Sequence, residues 1–327
     1  MSEVLVVGAG MAGLVAATEL VSSGHRVTVV DKGRGVGGRT ATRRFAGATF
    51  DHGAQFFTTR SGEGAELADA WAEAGAVGTW HTAFLGPDGE TRDDGHVRRR
   101  GVPSMTGPAK LLAAALGDVR TGVRLVAVER DGRRWAATDQ RGGQIGADAL
   151  VLTPPVPQTI ELLHGVDLGP GVSDTLASLR YERCVAVMVV TDGPTAVPEP
   201  GAVRPADGPV EWLADNHRKG VSERPCLTIH LRPEQSLDWW DRPDAEVVER
   251  ATDAVDRWLG AEVVESQVHR WRYARPVVVH PERSLTISAA PPAVAAGDVF
   301  GGPLVEGAMR SGLDAARRVG ELLGGAS

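Results

Sequence analysis

The sequence predicts an α/β protein: a two-dinucleotide-binding, Rossmann-like domain around a mostly parallel sheet, with a smaller mixed-sheet domain inserted into it. Three observations predict this fold. Residues 1–31 alternate strand, glycine-rich turn, helix and strand. A short apolar strand ending in Gly297-Asp298 returns near the carboxyl terminus. Between them, Pro157 to Arg275 reads as short strands separated by loops and one amphipathic helix.

The amino-terminal unit begins with Val4–Val7, a β-branched apolar run typical of a strand buried on both faces. Apolar residues at helical spacing follow between Leu14 and Val21, and Gly24 is placed to end that helix. Val27–Val30 is a second strand, ending at Asp31. Strand, helix and strand in this order predict a βαβ dinucleotide-binding unit.

The glycines between strand and helix each have a physical role. Gly8 permits the tight turn, Gly10 lets backbone N–H groups approach a pyrophosphate, and Gly13 lets the helix pack closely. The helix amino terminus presents unpaired N–H groups to the phosphates. Asp31 is placed to accept hydrogen bonds from the ribose hydroxyls of the adenosine half.

The stretch Asp31–Thr40 favours FAD over a nicotinamide cofactor. After Asp31 and Lys32, the sequence continues to Gly37-Gly38-Arg39. The second glycine pair lets the chain pass close to an extended flavin dinucleotide, and Arg39 offers a cationic fork to phosphate oxygens. We therefore predict Lys32, Gly38 and Arg39 among the cofactor contacts.

The middle of the chain first continues the dinucleotide domain. We predict a helix from Thr106 to Leu116, a hairpin of Val123–Val128 with Trp135–Thr138, and a buried strand at Ala149–Pro154. The triplet Arg98–Arg100 before them is either an exposed basic patch or a site that steers phosphates of a dinucleotide substrate.

The inserted domain is predicted from strands at Cys184–Val190, Val210–Leu213 and Leu227–Leu231, with an amphipathic helix from Val247 to Trp258. The predicted dinucleotide domain comprises residues 1–62, 98–156 and 282–327, and the predicted inserted domain comprises 63–97 and 157–281.

Near the end of that domain, Trp271 and Tyr273 are two residues apart, so strand alternation puts them on one face. They either line a substrate pocket or pack under the domain junction. At the carboxyl terminus, Asp298 follows a strand and is expected to accept from ribityl hydroxyls of a flavin. A helix beginning near Glu306-Gly307 is expected to aim its amino terminus at the flavin N1–C2=O edge, where reduction places negative charge.

Composition excludes several function classes. The formal net charge is −7, which argues against a nucleic-acid binder. Cys184 and Cys226 form no CxxC pair and the nine histidines form no HxxH pair, so no metal site is predicted. The uncharged run Val4–Val21 lacks a basic leading region and is interrupted by glycines, so we expect neither a signal peptide nor a membrane helix, and a cytoplasmic protein.

Several motifs together resemble the flavin-containing amine oxidase superfamily and, within it, the renalase family with its bacterial relatives. They are Gly37–Arg44, Asp51–Phe57, Gly101–Met105, Trp271–Ala274 and Gly297–Gly312. The resemblance covers nearly the whole chain. It implies that Ala12, Arg39, Gln55 and Phe56 contact FAD, that the backbone of Val123 meets the adenine ring, and that Trp271, Tyr273 and His52 shape a substrate pocket over the flavin.

The resemblance also implies a reaction. A renalase-like oxidase takes hydride from isomeric 2- or 6-dihydro NAD(P) onto flavin N5 and passes electrons to O2, giving NAD(P)+ and H2O2. The alternatives are an amine oxidase or desaturase acting on a small biosynthetic intermediate, or a flavin protein without turnover. We expect non-covalent FAD, because neither cysteine lies in a flavin-contacting motif. The expected partners are a dihydronicotinamide dinucleotide or an amine, and O2; no residue is predicted to be catalytic.

Overall fold

The computed structural model describes residues 1–85 and 91–325, which form eighteen strands in four sheets and nine α-helices. The strands are β1 (Glu3–Val7), β2 (Arg26–Asp31), β3 (Thr42–Phe45), β4 (Ala48–Asp51), β5 (Val77–Leu85), β6 (Thr91–Gly101), β7 (Val119–Thr121), β8 (Leu125–Asp131), β9 (Arg134–Asp139), β10 (Gln144–Ala147), β11 (Ala149–Leu152), β12 (Arg180–Thr191), β13 (Ala202–Val203), β14 (Val210–Asp215), β15 (Cys226–Leu231), β16 (Val263–Val278), β17 (Leu285–Ala289) and β18 (Pro292–Ala295). The helices are α1 (Met11–Ser22), α2 (Gly62–Glu73), α3 (Gly107–Ala115), α4 (Val156–Leu162), α5 (Val172–Ser178), α6 (Pro233–Asp238), α7 (Asp244–Asp253), α8 (Asp256–Leu259) and α9 (Leu304–Gly324).

The first sheet has six strands in the order β17-β18-β11-β1-β2-β7. Every pairing is parallel except that of β17 with β18. In the register, Leu5 lies between Leu150 on one side and Thr28 on the other. The predicted Rossmann-like sheet is confirmed, and it contains strands from both ends of the chain, with β11 between β1 and β18.

Helices α1 and α9 pack together on one face of this sheet. A Cβ on Gly312 would lie 2.4 Å from the carbonyl oxygen of Ala12, so the two helices approach at backbone distance. The other face is covered by the three-stranded sheet β10-β9-β8 and by α4 and α5, which bury Trp135, Leu162 and Leu176. Both faces of the sheet are therefore dry, as its apolar strands require.

The second large sheet has seven strands in the order β16-β12-β15-β14-β13-β5-β6. Its pairings are antiparallel except for a parallel contact of β13 with β5, which confirms the predicted mixed sheet. The predicted helix from Val247 to Trp258 is two helices, α7 and α8, which keep the same apolar stripe against the sheet.

The predicted domain bounds differ from the packing in three places. Helix α2 lies in the predicted insertion, yet Ala68 and Trp71 pack into the core around α1 and α9. Helices α4 and α5 likewise belong to the core of the first sheet. The apolar faces of these three helices pack in the cores on either side of the first sheet. Their position along the sequence did not indicate which of the two sheets they would cover. Strands β5 and β6 join the seven-stranded sheet, and β6 runs to Gly101, so residues 98–101, predicted for the dinucleotide domain, pair in this sheet as well.

None of the helices described here combines the length and the apolar character that crossing a bilayer would need.

Candidate functional site

A cavity of about 1480 Å³ extends from the carboxyl ends of β1 and β2 to the face of β16. Ligand pockets are usually between about 300 and 1,000 Å³, so this one has room for an extended ligand. Gly10 and Asp31 of the dinucleotide motif line this cavity, and so do Phe56 and Trp271. The predicted dinucleotide motif and the predicted substrate pocket thus border a single space.

The glycine-rich turn has the geometry that a dinucleotide needs. Gly8 has a φ of +105°, a conformation that L-residues rarely adopt. A Cβ on Gly13 would lie 1.9 Å from the carbonyl oxygen of Gly8, so Gly13 serves packing and does not itself border the cavity. A Cβ on Gly10 would meet nothing within 4 Å, and Gly10 borders the cavity. That open space beside the start of α1, which Ala12 also lines, fits a pyrophosphate.

Asp31 is held rigidly at the end of β2. Its carboxylate accepts hydrogen bonds from the backbone N–H groups of Ala9, at 2.7 Å, and Gly33, at 2.6 Å. Lys32 lies beside it and donates to Oε1 of Gln158 at 2.9 Å. The N–H of Val123 donates to the carbonyl of Asp31 at 2.9 Å, so only the carbonyl of Val123 is left to face an adenine ring.

Arg39 and Asp298, predicted to hold different parts of the cofactor, bind each other. The guanidinium and carboxylate form two hydrogen bonds of 2.8 and 2.6 Å. Burial raises the pKa of Asp298, and the facing guanidinium of Arg39 counteracts that rise. Arg39 also donates to the carbonyl of Ala274 at 3.3 Å. The pair therefore joins the two ends of the chain and one strand of the second sheet at the cavity wall.

The segment after β4 passes along the cavity as Gly53, Ala54, Gln55 and Phe56. A Cβ on Gly53 would lie 2.1 Å from the carbonyl oxygen of Arg39, so only glycine fits there. Phe56 packs 5.5 Å from the ring of Trp212. The amide of Gln55 donates to the carbonyl of Asp51 and lies 3.5 Å from Lys219, so its polar atoms are held by protein groups.

Trp271 and Tyr273 both border the cavity, and so does Arg272 between them, because the pairing of β16 with β12 shifts register between Trp271 and Arg275. The indole N–H of Trp271 donates to the carbonyl of His52 at 2.8 Å, and the two rings stack at 5.1 Å. His52 also borders the cavity. The three residues predicted for the substrate pocket thus all line the cavity, and two of them, His52 and Trp271, are in direct contact.

Sequence reasoning missed His269 and His230, which complete this wall. His269 lies two residues before Trp271 on the same face, 4.2 Å from its ring, so the same alternation would have indicated it. His230 donates from Nε2 to the carbonyl oxygen of His52 at 3.1 Å. Burial is the main cause that lowers the pKa of His52 to about 3, and those of His230 and His269 to about 4. All three imidazoles are therefore neutral at neutral pH.

Five arginines give the substrate half of the cavity an excess of positive charge. None of the five forms an ion pair with a carboxylate of residues 1–85 and 91–325; they are Arg43, Arg44, Arg183, Arg204 and Arg272. The glutamates of this half, Glu182 and Glu211, both pair with Arg275. An anionic ligand would be favoured here.

Glu306 and Gly307 do not contact the cavity, which corrects their prediction as cofactor-binding residues. The carboxylate of Glu306 accepts from Ser61 N at 2.7 Å and Ser61 Oγ at 2.6 Å, which ties α9 to the start of α2. A Cβ on Gly307 would lie 1.8 Å from the carbonyl oxygen of Gly302, so Gly307 serves close packing. The helix starts two residues earlier than predicted, and Leu304 and Val305 face the cavity instead.

The triplet Arg98–Arg100 does not border the cavity. Arg99 pairs with the exposed Asp69 at 2.6 Å, in accord with a surface patch. Within the described chain, no group of three or more His, Cys, Asp or Glu side chains is arranged to hold a metal ion.

Two family models match the chain. The model described as an NAD(P)-binding Rossmann-like domain matches residues 6–74, and that described as flavin containing amine oxidoreductase matches residues 90–320. The second match covers well over half of the chain.

The curated relatives below match a short stretch of this chain. AofH of Mycobacterium tuberculosis, named for a proposed flavin-containing monoamine oxidase activity, is 52% identical over 54 residues, which are 16% of this chain and 12% of AofH. The 4,4'-diapophytoene desaturase of Staphylococcus haemolyticus is 48% identical over 50 residues, 15% of this chain and 10% of the desaturase. The matched stretch is thus a small part of each relative.

Solved structures match over almost the entire chain. A variant of putrescine oxidase superposes with a TM-score of 0.75 over 98% of this chain and 99% of that chain, at 15% identity. The fatty acid isomerase of P. acnes superposes with a TM-score of 0.71 over 97% and 98% of the two chains, at 14% identity. These likenesses show a shared fold.

Proposed function

The chain belongs to the flavin-containing amine oxidoreductase family, and from this premise we propose that it is an FAD-dependent oxidase acting on isomeric 2- or 6-dihydro NAD(P). The residues that would hold FAD are the turn around Gly10, Asp31, the Arg39–Asp298 pair and the segment Gly53–Phe56. The open side of Gly10 and the length of the cavity fit such a dinucleotide.

The charge of the substrate half of the cavity is the observation that carries the proposal. Five arginines without carboxylate partners among the described residues favour a substrate that bears phosphates. An amine substrate would enter as a cation and would meet those arginines. The substrate wall is otherwise made of aromatic and neutral imidazole rings, which suit a flat dihydropyridine ring.

Bound FAD would supply the redox chemistry, accepting a hydride at N5 and giving the electrons to O2 with release of H2O2. The protein's own contribution is orientation of the substrate. Trp271, Tyr273 and Phe56, all half-buried, offer an apolar shelf against which a flat ring can be oriented. Hydride transfer from a dihydropyridine needs no general base, which agrees with imidazoles whose pKa values, lowered by burial to about 3 for His52 and about 4 for His269, make them weak bases.

The second candidate is an amine oxidase or desaturase, and one observation favours it. Phe56 and Trp212 lie 5.5 Å apart at the cavity, and aromatic pairs bind cations through their ring faces. However, Arg204 already lies 5.9 Å over the ring of Trp212. The curated amine oxidase and desaturase relatives match over only 54 and 50 residues, which are 16% and 15% of this chain.

Anaerobic rapid mixing separates the candidates. The FAD-loaded protein is mixed with 2-dihydro or 6-dihydro NAD(P), with the ordinary 4-dihydro isomer, and with a panel of monoamines and diamines. We expect the 2- or 6-dihydro isomers to bleach the flavin absorbance within seconds, and admission of air to restore it with one H2O2 per substrate. Bleaching by an amine with none by the dihydropyridines would replace the proposal by the second candidate. A flavin that no compound bleaches would contradict both.

A further inference from the structure

A fully buried ion pair lies directly behind Gln55. Lys219, in the connection between β14 and β15, reaches across to Asp51 at the end of β4, with Nζ 2.8 Å from Oδ2. Both side chains have no exposed surface. Lys219 does not border the cavity, whereas Gln55 does. The ammonium group reaches the cavity wall through Gln55, and it also lies 4.9 Å over the ring of Trp80, which packs on Phe56.

Asp51 is the centre of the contacts in this region. Its Oδ1 accepts from the backbone N–H of Met105 at 2.9 Å and from the hydroxyl of Thr42 at 3.0 Å. Its own backbone N–H donates to Asn216 at 3.1 Å. Burying two charged groups costs several kcal/mol of desolvation. Their mutual attraction offsets this cost only when their remaining hydrogen-bonding atoms also have partners. The full set of partners holds the carboxylate, and hence the ammonium group, in one place.

The ammonium group selects one orientation of the Gln55 amide. Oε1 of Gln55 lies 3.5 Å from Nζ of Lys219, while Nε2 donates to the carbonyl oxygens of Asp51 and Gly53. A flipped amide would turn its NH2 group toward the ammonium and its oxygen toward two carbonyls. All of those contacts would be repulsive, because donors would face donors and acceptors would face acceptors.

We propose that Lys219 is a positioning residue, which fixes the amide of Gln55 and with it the segment Gly53–Phe56 against bound FAD. The ion pair is a dipole whose positive end contacts Gln55, so it holds the amide in one orientation and with it the backbone of Gly53–Phe56 along the cavity. The inference rests on FAD occupying the cavity and not on which substrate the enzyme oxidises.

The test measures the bound flavin without any substrate. Lys219→Met removes the ammonium, and Lys219→Gln retains a donor to both partners without the charge. For Lys219→Met we expect FAD binding weakened by about tenfold, a shifted midpoint potential and a changed visible spectrum. Lys219→Gln should restore the potential and spectrum toward those of the wild type. Gln55→Met should reproduce the shift, and adding Lys219→Met to it should shift the potential no further.

A purely structural role would lower the melting temperature of every Lys219 variant and leave the potential of the folded, FAD-loaded protein unchanged; that result overturns the proposal. So does a Lys219→Met shift that adds in full to that of Gln55→Met. If Lys219→Met does not fold, Lys219→Met/Asp51→Asn removes the unpaired carboxylate and must show the same shift. If that also fails, Gln55→Met decides, since a wild-type potential in it excludes any action through Gln55. A protein that ignores dihydropyridines can still pass this test, so the two proposals fail separately.

Discussion

Three neutral imidazoles in one wall make the stability of the molecule depend on pH. His52 is 4% exposed and its Nδ1 has no hydrogen-bond partner in the described chain. Protonating it would place a cation beside His269, Arg43 and His230, the charged and titratable groups that face it. The folded state therefore resists protonation at these positions, whereas the unfolded chain does not.

The sign follows from the pKa values. In the unfolded chain each histidine titrates near pH 6.5, and in the folded protein His52 titrates at about 3 and His230 and His269 at about 4. Between those values the unfolded state binds more protons, so the free energy of unfolding falls as pH falls below about 6.5. Each group contributes about 1.4 kcal/mol per pH unit in that window. Urea unfolding from pH 7.5 to 4.5 should show the loss.

The variant His52→Phe isolates one contribution. It should reduce the slope by about 1.4 kcal/mol per pH unit, because one group that differs between the two states is gone. The exposed His164, replaced by Gln, is the matched control and should leave the slope unchanged. An undiminished slope in His52→Phe would show that this imidazole does not resist protonation in the fold.

The Arg39–Asp298 pair is the second residue-scale determinant. Its side chains are 29% and 10% exposed, so removing one partner leaves a mostly buried charge unpaired. We expect Arg39→Met to lower the free energy of unfolding by about 3 kcal/mol and to abolish retention of FAD on gel filtration. Arg317→Met, which removes an exposed pairing with Asp314, should cost less than about 1 kcal/mol. Equal losses in the two variants would mean that the buried pair adds nothing.

At the scale of elements, two glycines of the βαβ turn have different roles, one in packing and one beside the cavity. Gly13 is in contact with backbone, whereas Gly10 faces open space. Gly13→Ala should therefore cost about 1–3 kcal/mol of stability through overpacking. Gly10 has a φ of −78°, which alanine adopts without strain. Gly10→Ala should therefore change the free energy of unfolding of the FAD-free protein by less than about 1 kcal/mol.

FAD titration of the same two variants completes that prediction. The methyl group of Gly10→Ala would occupy the space that fits a pyrophosphate, so FAD affinity should fall by about tenfold or more. Calorimetry or flavin fluorescence measures it. Full FAD affinity in Gly10→Ala would place the phosphates elsewhere in the cavity.

Elements with a strong local signal were predictable from sequence, and partners across the fold were not. Val4–Val7, the glycine turn and Asp31 lie within one short stretch, so spacing alone defined them. Alternation predicted that Trp271 and Tyr273 share a face, and both border the cavity, although it said nothing of His52 as a neighbour of Trp271. The Arg39–Asp298 pair joins positions 259 residues apart, and Lys219 reaches Asp51 over 168 residues. Such partners depend on how two sheets meet, which no local pattern encodes.

At the scale of the whole molecule, the global charge and the local charge oppose each other. The chain carries a formal net charge of −7. The cavity, by contrast, is lined by eleven Arg and Lys side chains and five Asp and Glu side chains. A phosphate-bearing substrate is repelled by the molecule at long range and attracted by the cavity at short range. Salt screens both the long-range repulsion and the short-range attraction. Because the loss of repulsion and the loss of attraction change substrate capture in opposite directions, the salt dependence of kcat/KM shows which of them dominates.

If the cavity dominates, kcat/KM for a 2- or 6-dihydro NAD(P) should fall by about tenfold between roughly 0.02 and 0.5 M salt, because screening removes attraction. If the net charge dominates, kcat/KM should rise with salt instead. The corresponding dihydronicotinamide riboside, which has no phosphate, should show little change in either case and serves as the control. Arg272→Gln should flatten the decrease for the dinucleotide and leave the riboside unaffected. An identical salt response for the two substrates would mean that the arginines do not meet phosphate, and the assignment of an anionic substrate would be wrong.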